Sequence, residues 1–202
     1  MTGASLSLSA MSESMSGPWI RDYLMDVAET YGAQLYNAPV STGKKKVQLI
    51  DVRAPLPYSS ILTVTFQFLT YQENSYVWAW ISDKDHRVSV RISKDTVDQY
   101  KRLVDSHCPT LHPNPCNSIH GRNIIDCRFS LVFVSQYRPM FSPRPLGPNA
   151  TGNTPVSHIS LEICHVKSVG IGGHLFGNPS DLESDENMKE WVLGLRQDGG
   201  GG

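Results

Sequence analysis

Long hydrophobic runs are missing from this chain. Across its 202 residues no stretch approaches the roughly 18 consecutive apolar residues a membrane-crossing helix needs, so no span is expected. Cysteine is scarce, with four residues. The Ser- and Met-rich start lacks the cationic opening and apolar core of a secretory signal. The expectation is an intracellular, reducing compartment in which disulfides are not required. Excess charge is missing too. Eighteen Lys and Arg against 19 Asp and Glu leave a formal −1, which argues against a surface that captures nucleic acid by its bulk field. Catalytic signatures are also absent. There is no Gly-x-Ser-x-Gly and no Gly-rich Walker loop, and no helix pattern directly follows Gly170 to Gly173. The carboxylates show no paired spacing suited to acid–base work. Neither catalysis nor a cofactor is expected.

What is present suffices for one core. An apolar fraction of 40% with 9% aromatics suits one domain of this length with irregular ends. Residues 1–17 are small and polar and are expected to be disordered. Residues 18–169 carry the domain with its leading helix, and 170–202 a linker, a C-terminal helix and a Gly tail.

Tyr76 to Ile92 is the most informative stretch. Val77, Ala79 and Ile81 alternate with Tyr76, Trp78 and Trp80; after the polar turn Ser82 to His86, Val88, Val90 and Ile92 alternate with Arg87, Ser89 and Arg91. Period-2 alternation on both sides of a short turn predicts an antiparallel hairpin. One face feeds a core, and the other mixes aromatics with arginines.

Around that hairpin, Pro18 opens a helix with Ile20, Tyr23, Leu24, Val27 and Tyr31 at helical spacing, and Gly32 closes it. Ala33 to Ser60 reads as a loop holding a short strand over Val47 to Val52. Leu62, Val64, Phe66 and Phe68 alternate with polar residues and predict the first core strand. Val97 to Val104 reads as a short helix, with Asp95 and Asp98 offered as its capping pair. A fourth strand is expected over Asn123 to Ser135, a loop over Pro139 to Pro155, a last strand over Val156 to Val169, and an amphipathic helix over Leu182 to Arg196.

This order predicts an all-β core with flanking helices: a five-stranded OB-fold barrel with a helix between strands 3 and 4 and helices at both ends. An open α+β sheet built from the same elements is the alternative.

Several residue groups carry a family resemblance. They are Pro18-Trp19-Ile20-Arg21 at the first helix, Ser82-Asp83-Lys84-Asp85-His86 at the hairpin turn, Ser93 to Val97 after strand 3, Gly121-Arg122 before strand 4, and Ser160 to Ile163 with Ser168-Val169 in the last strand. In this order the chain resembles the telomere-capping OB-fold family. That family includes the OB domain of the shelterin bridging subunit (the adrenocortical dysplasia protein homologue) and the yeast telomerase accessory subunit of the ever-shorter-telomeres class. The resemblance implies a noncatalytic adaptor in telomere maintenance and capping, located in the nucleus at the telomeric region of chromosomes. Its implied partners are the telomerase catalytic subunit and other telomere-end proteins.

The telomerase-binding residues implied by the resemblance are Arg122, Ile125, Asp98, Lys101 and Arg102, with Trp19 in support. The family's acidic cluster after strand 3 is not reproduced, since Gln99-Tyr100-Lys101-Arg102 stands there. A partner surface matched to it would be acidic.

The alternative function is binding of single-stranded telomeric DNA through Trp78, Trp80, Arg87 and Arg91, the tryptophans stacking on bases. The plainer reading packs both tryptophans under a helix and leaves the arginines on a solvated exterior. Trp19 reads first as a core residue, and Lys44 to Lys46 as a solvated loop run. His107, Cys108, His112, Cys116, His120 and Cys127 offer six zinc-capable side chains, but without the Cys-x-x-Cys pair of many structural sites. A proline-rich loop without metal is expected.

Overall fold

In the computed structural model, the described residues are 17–53, 76–93, 95–99, 128–143, 156–171 and 174–197. Five strands form the core: β1 (Lys45–Arg53), β2 (Val77–Ser82), β3 (His86–Ile92), β4 (Ser130–Pro143) and β5 (Ser157–Ile171). Antiparallel pairs join β1 to β2, β2 to β3, β1 to β4 and β4 to β5. A parallel pairing of β3 with β5, Ser89 opposite Ser160 through Ile92 opposite Ile163, closes the ring. The cyclic order β1-β2-β3-β5-β4 is that of an OB-fold barrel. The open-sheet alternative is excluded, because every barrel strand has a partner on both sides.

Alternation decides what fills the ring. Val47 and Leu49, Val77, Ala79 and Ile81, Val88, Val90 and Ile92, Val132 and Val134, and Ile159, Leu161 and Ile163 all point inward and are buried. The predicted hairpin is present, with Val77 opposite Ile92 and Ser82 opposite Arg87.

The first barrel strand is the short one expected inside the early loop, extended to Lys45–Arg53; Leu62 to Phe68, read as that strand, lies outside the described residues. Two features blurred the signal of β1. Gln48 is polar yet fully buried. A register shift between Leu49 and Asp51 also breaks the two-residue period. The same bulge bends the strand so that residues 45–49 pair with β4 while 48–53 pair with β2.

Strand β4 starts later than expected among the described residues and continues through Pro139, where a loop was predicted. The β1 pairing ends at Val134. Beyond it β4 is flanked by β5 with an isolated Ser41–Tyr137 bridge on the other side, so a missing proline N–H is tolerated.

The N-terminal helix, Ile20–Tyr31, buries Ile20, Leu24 and Val27, and Gly32 closes it at φ 53°. A helical turn over residues 95–99 stands between β3 and β4. The C-terminal helix, Glu186–Gln197, buries Met188, Val192 and Leu195. Ahead of it, β6 (Ser180–Asp181) lies parallel to the start of β3.

Candidate functional site

The first candidate surface begins with a knot between the leading helix and the hairpin. Trp19 stands before the helix and supplies no side-chain cap. The cap comes from the hairpin turn instead. Asp83, fully buried, accepts hydrogen bonds through Oδ2 from the Trp19 and Ile20 amides, both at 2.8 Å. Its Oδ1 accepts from Asp85 N at 3.2 Å and His86 N at 2.9 Å. One carboxylate therefore shapes its own turn and caps a helix that starts 63 positions earlier, where the helix dipole favours a negative charge.

Around this knot the aromatic packing is tight. Trp19 lies 5.1 Å from the Tyr137 ring centroid and 6.1 Å from that of Tyr23, which meets Tyr137 edge-on at 5.2 Å. Burial raises the Tyr23 and Tyr137 hydroxyl pKa values above the ordinary tyrosine range. Trp19 is thus a core residue, as its plainer reading held, and supports the surface from beneath.

The C-terminal helix is tied to the same region. Arg21 Nε donates to Asp185 Oδ2 at 2.8 Å, and Asp185 Oδ1 accepts from Asn187 N and Met188 N at that helix's start. The Arg21 hydrogen bond holds the Asp185 carboxyl below its ordinary value. Trp191 Nε1 donates to Gly32 O at 3.1 Å. The two terminal helices thus brace one another across the barrel.

After β3, the capping residue is Ser93 rather than Asp95. Its Oγ accepts from Thr96 N at 3.3 Å, and its carbonyl accepts from Val97 N at 3.1 Å. Buried Thr96 in turn donates from its hydroxyl to Cys164 O on β5. This fixes the place where the chain leaves the barrel, with Asp98 half-buried on the turn. Lys101, Arg102, Arg122 and Ile125 lie outside the described residues, as does the Cys- and His-bearing segment His107 to Cys127.

Trp78, Trp80, Arg87 and Arg91 do share the outer wall of β2 and β3. Both tryptophans are half-buried, with Arg91 opposite Trp78 and Ser89 opposite Trp80. The Arg87 guanidinium stands 5.3 Å from the Trp80 centroid, and that of Arg91 4.2 Å from the Tyr76 centroid.

The arginine charges on this wall are largely met by the protein itself. Arg91 bonds Glu162 Oε1 at 2.7 Å, and Arg138 bonds Oε2 at 2.6 Å. Arg87 lies 3.9 Å from Asp181. Sequence reading missed Glu162 and Arg138, because only the parallel β3–β5 register brings them beside Arg91.

Burial opposes ionisation of Glu162, but hydrogen bonds from Arg91 and Arg138 outweigh it and hold the carboxyl below its usual 4.5. A depressed folded-state value stabilises the fold above the ordinary value, and this contribution disappears as pH falls through the folded value. The stability advantage of the native protein over Glu162→Gln should therefore be constant near neutrality and shrink below the ordinary 4.5. Urea midpoints of both proteins across an acid series measure this; a gap that widens on acidification contradicts it.

Two solved structures are similar to this chain. A hypothetical protein from Arabidopsis thaliana, solved in solution, matches at 11% identity and a TM-score of 0.34, covering 74% of this chain and 78% of its own. The Est3 telomerase subunit of the yeast Hansenula polymorpha matches at 9% identity and a TM-score of 0.46, covering 96% of each chain. No family model matches, and no curated protein does. At these scores the fold is read from the strand register alone.

Proposed function

We propose that this protein is a noncatalytic telomere-maintenance adaptor whose barrel exterior docks on the telomerase catalytic subunit, within the telomeric region of the nucleus. One observation carries the reading. The two sequence groups at the heart of the family resemblance, Pro18 to Arg21 and Ser82 to His86, are bonded to one another through Asp83. Residues with a shared structural task form a more specific pattern than separate motifs. The closed barrel adds support, since its interior is filled by aliphatic side chains and its exterior is left for recognition.

The docking surface is formed by Asp98, Lys101, Arg102, Arg122 and Ile125, held over the braced first helix with Trp19 beneath. Its basic residues suit an acidic patch on the partner. Arg122→Glu is expected to abolish co-purification with the telomerase catalytic subunit while leaving the circular dichroism spectrum and urea midpoint unchanged. Unchanged co-purification removes this surface from the reading. Capture of a partner set without telomerase proteins removes the reading itself.

A further inference from the structure

The opposite wall of the barrel has a different chemistry. On β4, Val132 and Val134 point into the core, so Phe133 between them faces outward. Its register partners are Lys46 on β1 and Lys167 on β5. Lys44 Nζ stands 4.2 Å from the Phe133 ring centroid and Lys46 Nζ 5.9 Å from it. Phe133 and Lys46 are half-buried; Lys44 and Lys167 are exposed. The next outward pair is Ser135 with His165. On the other side, Gln48 and Leu131 lie beneath the segment at His174 and Phe176. The row is therefore an aromatic face ringed by three ammonium groups, with its lower edge defined by that segment. The run Lys44 to Lys46, which reads in sequence as solvated loop charge, is partly built into this sheet.

From this arrangement we propose that the Lys44–Lys46–Phe133–Lys167 wall binds single-stranded nucleic acid, with a base on Phe133 and the lysines on flanking phosphates. Three features select this occupant. An aromatic face among point cations provides for both the base and the phosphate of a single strand. A duplex conceals its base faces. The β2–β3 wall, by contrast, has its arginines engaged with Glu162 and Asp181, so the mobile positive charge lies on this side. The site is small, and the whole chain carries a net −1, so binding is weak and local.

The test is fluorescence anisotropy of a labelled 12-nucleotide oligothymidine titrated with the full chain at two salt concentrations. Three ammonium–phosphate contacts give a slope of log affinity against log salt near −2, since single strands contribute about −0.7 per contact. Phe133→Ala should weaken binding roughly tenfold, in line with loss of one stacked base. Phe133→Trp should retain it, which separates stacking from damage to the fold. The double variant Lys46→Glu, Lys167→Glu should weaken binding at least tenfold and flatten the slope, with its urea midpoint checked alongside.

Several outcomes overturn the proposal. One is no binding at low salt; another is loss on Trp78→Ala with Phe133→Ala unaffected. Equal competition by duplex DNA or by an oligoglutamate peptide would show general polyanion attraction or an acidic-peptide site. Because the assay contains no telomerase, its failure leaves the adaptor reading standing, and failure of co-purification leaves this site standing.

Discussion

Replacing Asp83 with alanine is expected to destabilise the protein by about 3–5 kcal/mol, a large part of the stability of an ordinary domain. The substitution strips two buried amides at the helix start, Trp19 and Ile20, of their acceptor. It also removes the acceptor of the Asp85 and His86 amides in the turn. A buried N–H left unsatisfied costs about 1–3 kcal/mol, while the turn amides can recover part of their loss to water. Asp83→Asn keeps the shape and one carbonyl oxygen but places an NH2 group against amide donors, so about 2–3 kcal/mol is expected. Urea unfolding followed by circular dichroism measures both. A loss under about 1 kcal/mol for the alanine variant would mean that the helix start does not depend on the hairpin.

Gln48→Leu has the second large effect, about 2–4 kcal/mol, and its consequences are local. The fully buried Gln48 amide donates to Phe129 O at 3.1 Å and His174 O at 2.7 Å, and accepts from Phe176 N at 2.9 Å. These bonds fasten the segment that links β5 to the C-terminal helix against the outside of the barrel. Leucine has nearly the same volume but meets none of the three polar groups. They must then be buried unpaired or reach water by opening the segment. Amide exchange should quicken over residues 174–177 well before the barrel strands respond. Exchange that rises uniformly through the core would show that Gln48 supports the barrel rather than the strap.

Gly177 belongs to the same strap and explains its close fit. Its φ is 70°, and a Cβ there would stand 2.6 Å from the Lys84 carbonyl oxygen. The strap thus runs against the hairpin turn, where Ser180 N donates to Asp85 O at 2.9 Å. The turn that receives the first helix on Asp83 also receives the strap at its Lys84 and Asp85 carbonyls. Neither Gly177 nor Gln48 announces this role in the sequence. Each depends on a neighbour more than 90 positions away, Lys84 and His174 respectively.

The elements that could be read from the chain are those whose signal is local. The hairpin shows two-residue alternation on both arms, and its arms lie where that alternation begins and ends. The N-terminal helix repeats its apolar residues at helical spacing and stops at Gly32; the C-terminal helix does likewise with Met188, Val192 and Leu195. Strand β1 was underread because a bulge and a buried glutamine interrupt its pattern. The end of β4 was hidden because proline is tolerated where a strand is paired mainly on one side. Of the candidate residues, Trp78, Trp80, Arg87 and Arg91 were correctly grouped on one face by alternation. Their electrostatic state was not readable, since Glu162 and Asp181 reach them only through the register of β5 and β6.

By itself the sequence determined the periodicities, and with them the identity of most strands, both long helices and the inward-facing aliphatic residues. Burying those faces together demands a closed core, which is why the barrel could be anticipated. Only the tertiary structure decided which polar groups meet. Asp83 became a helix cap, Glu162 a brace between two arginines, and Phe133 a ring surrounded by lysines. Hydrogen bonds and ion pairs act over a few ångströms in space, whereas the residues that make them lie tens of positions apart along the chain.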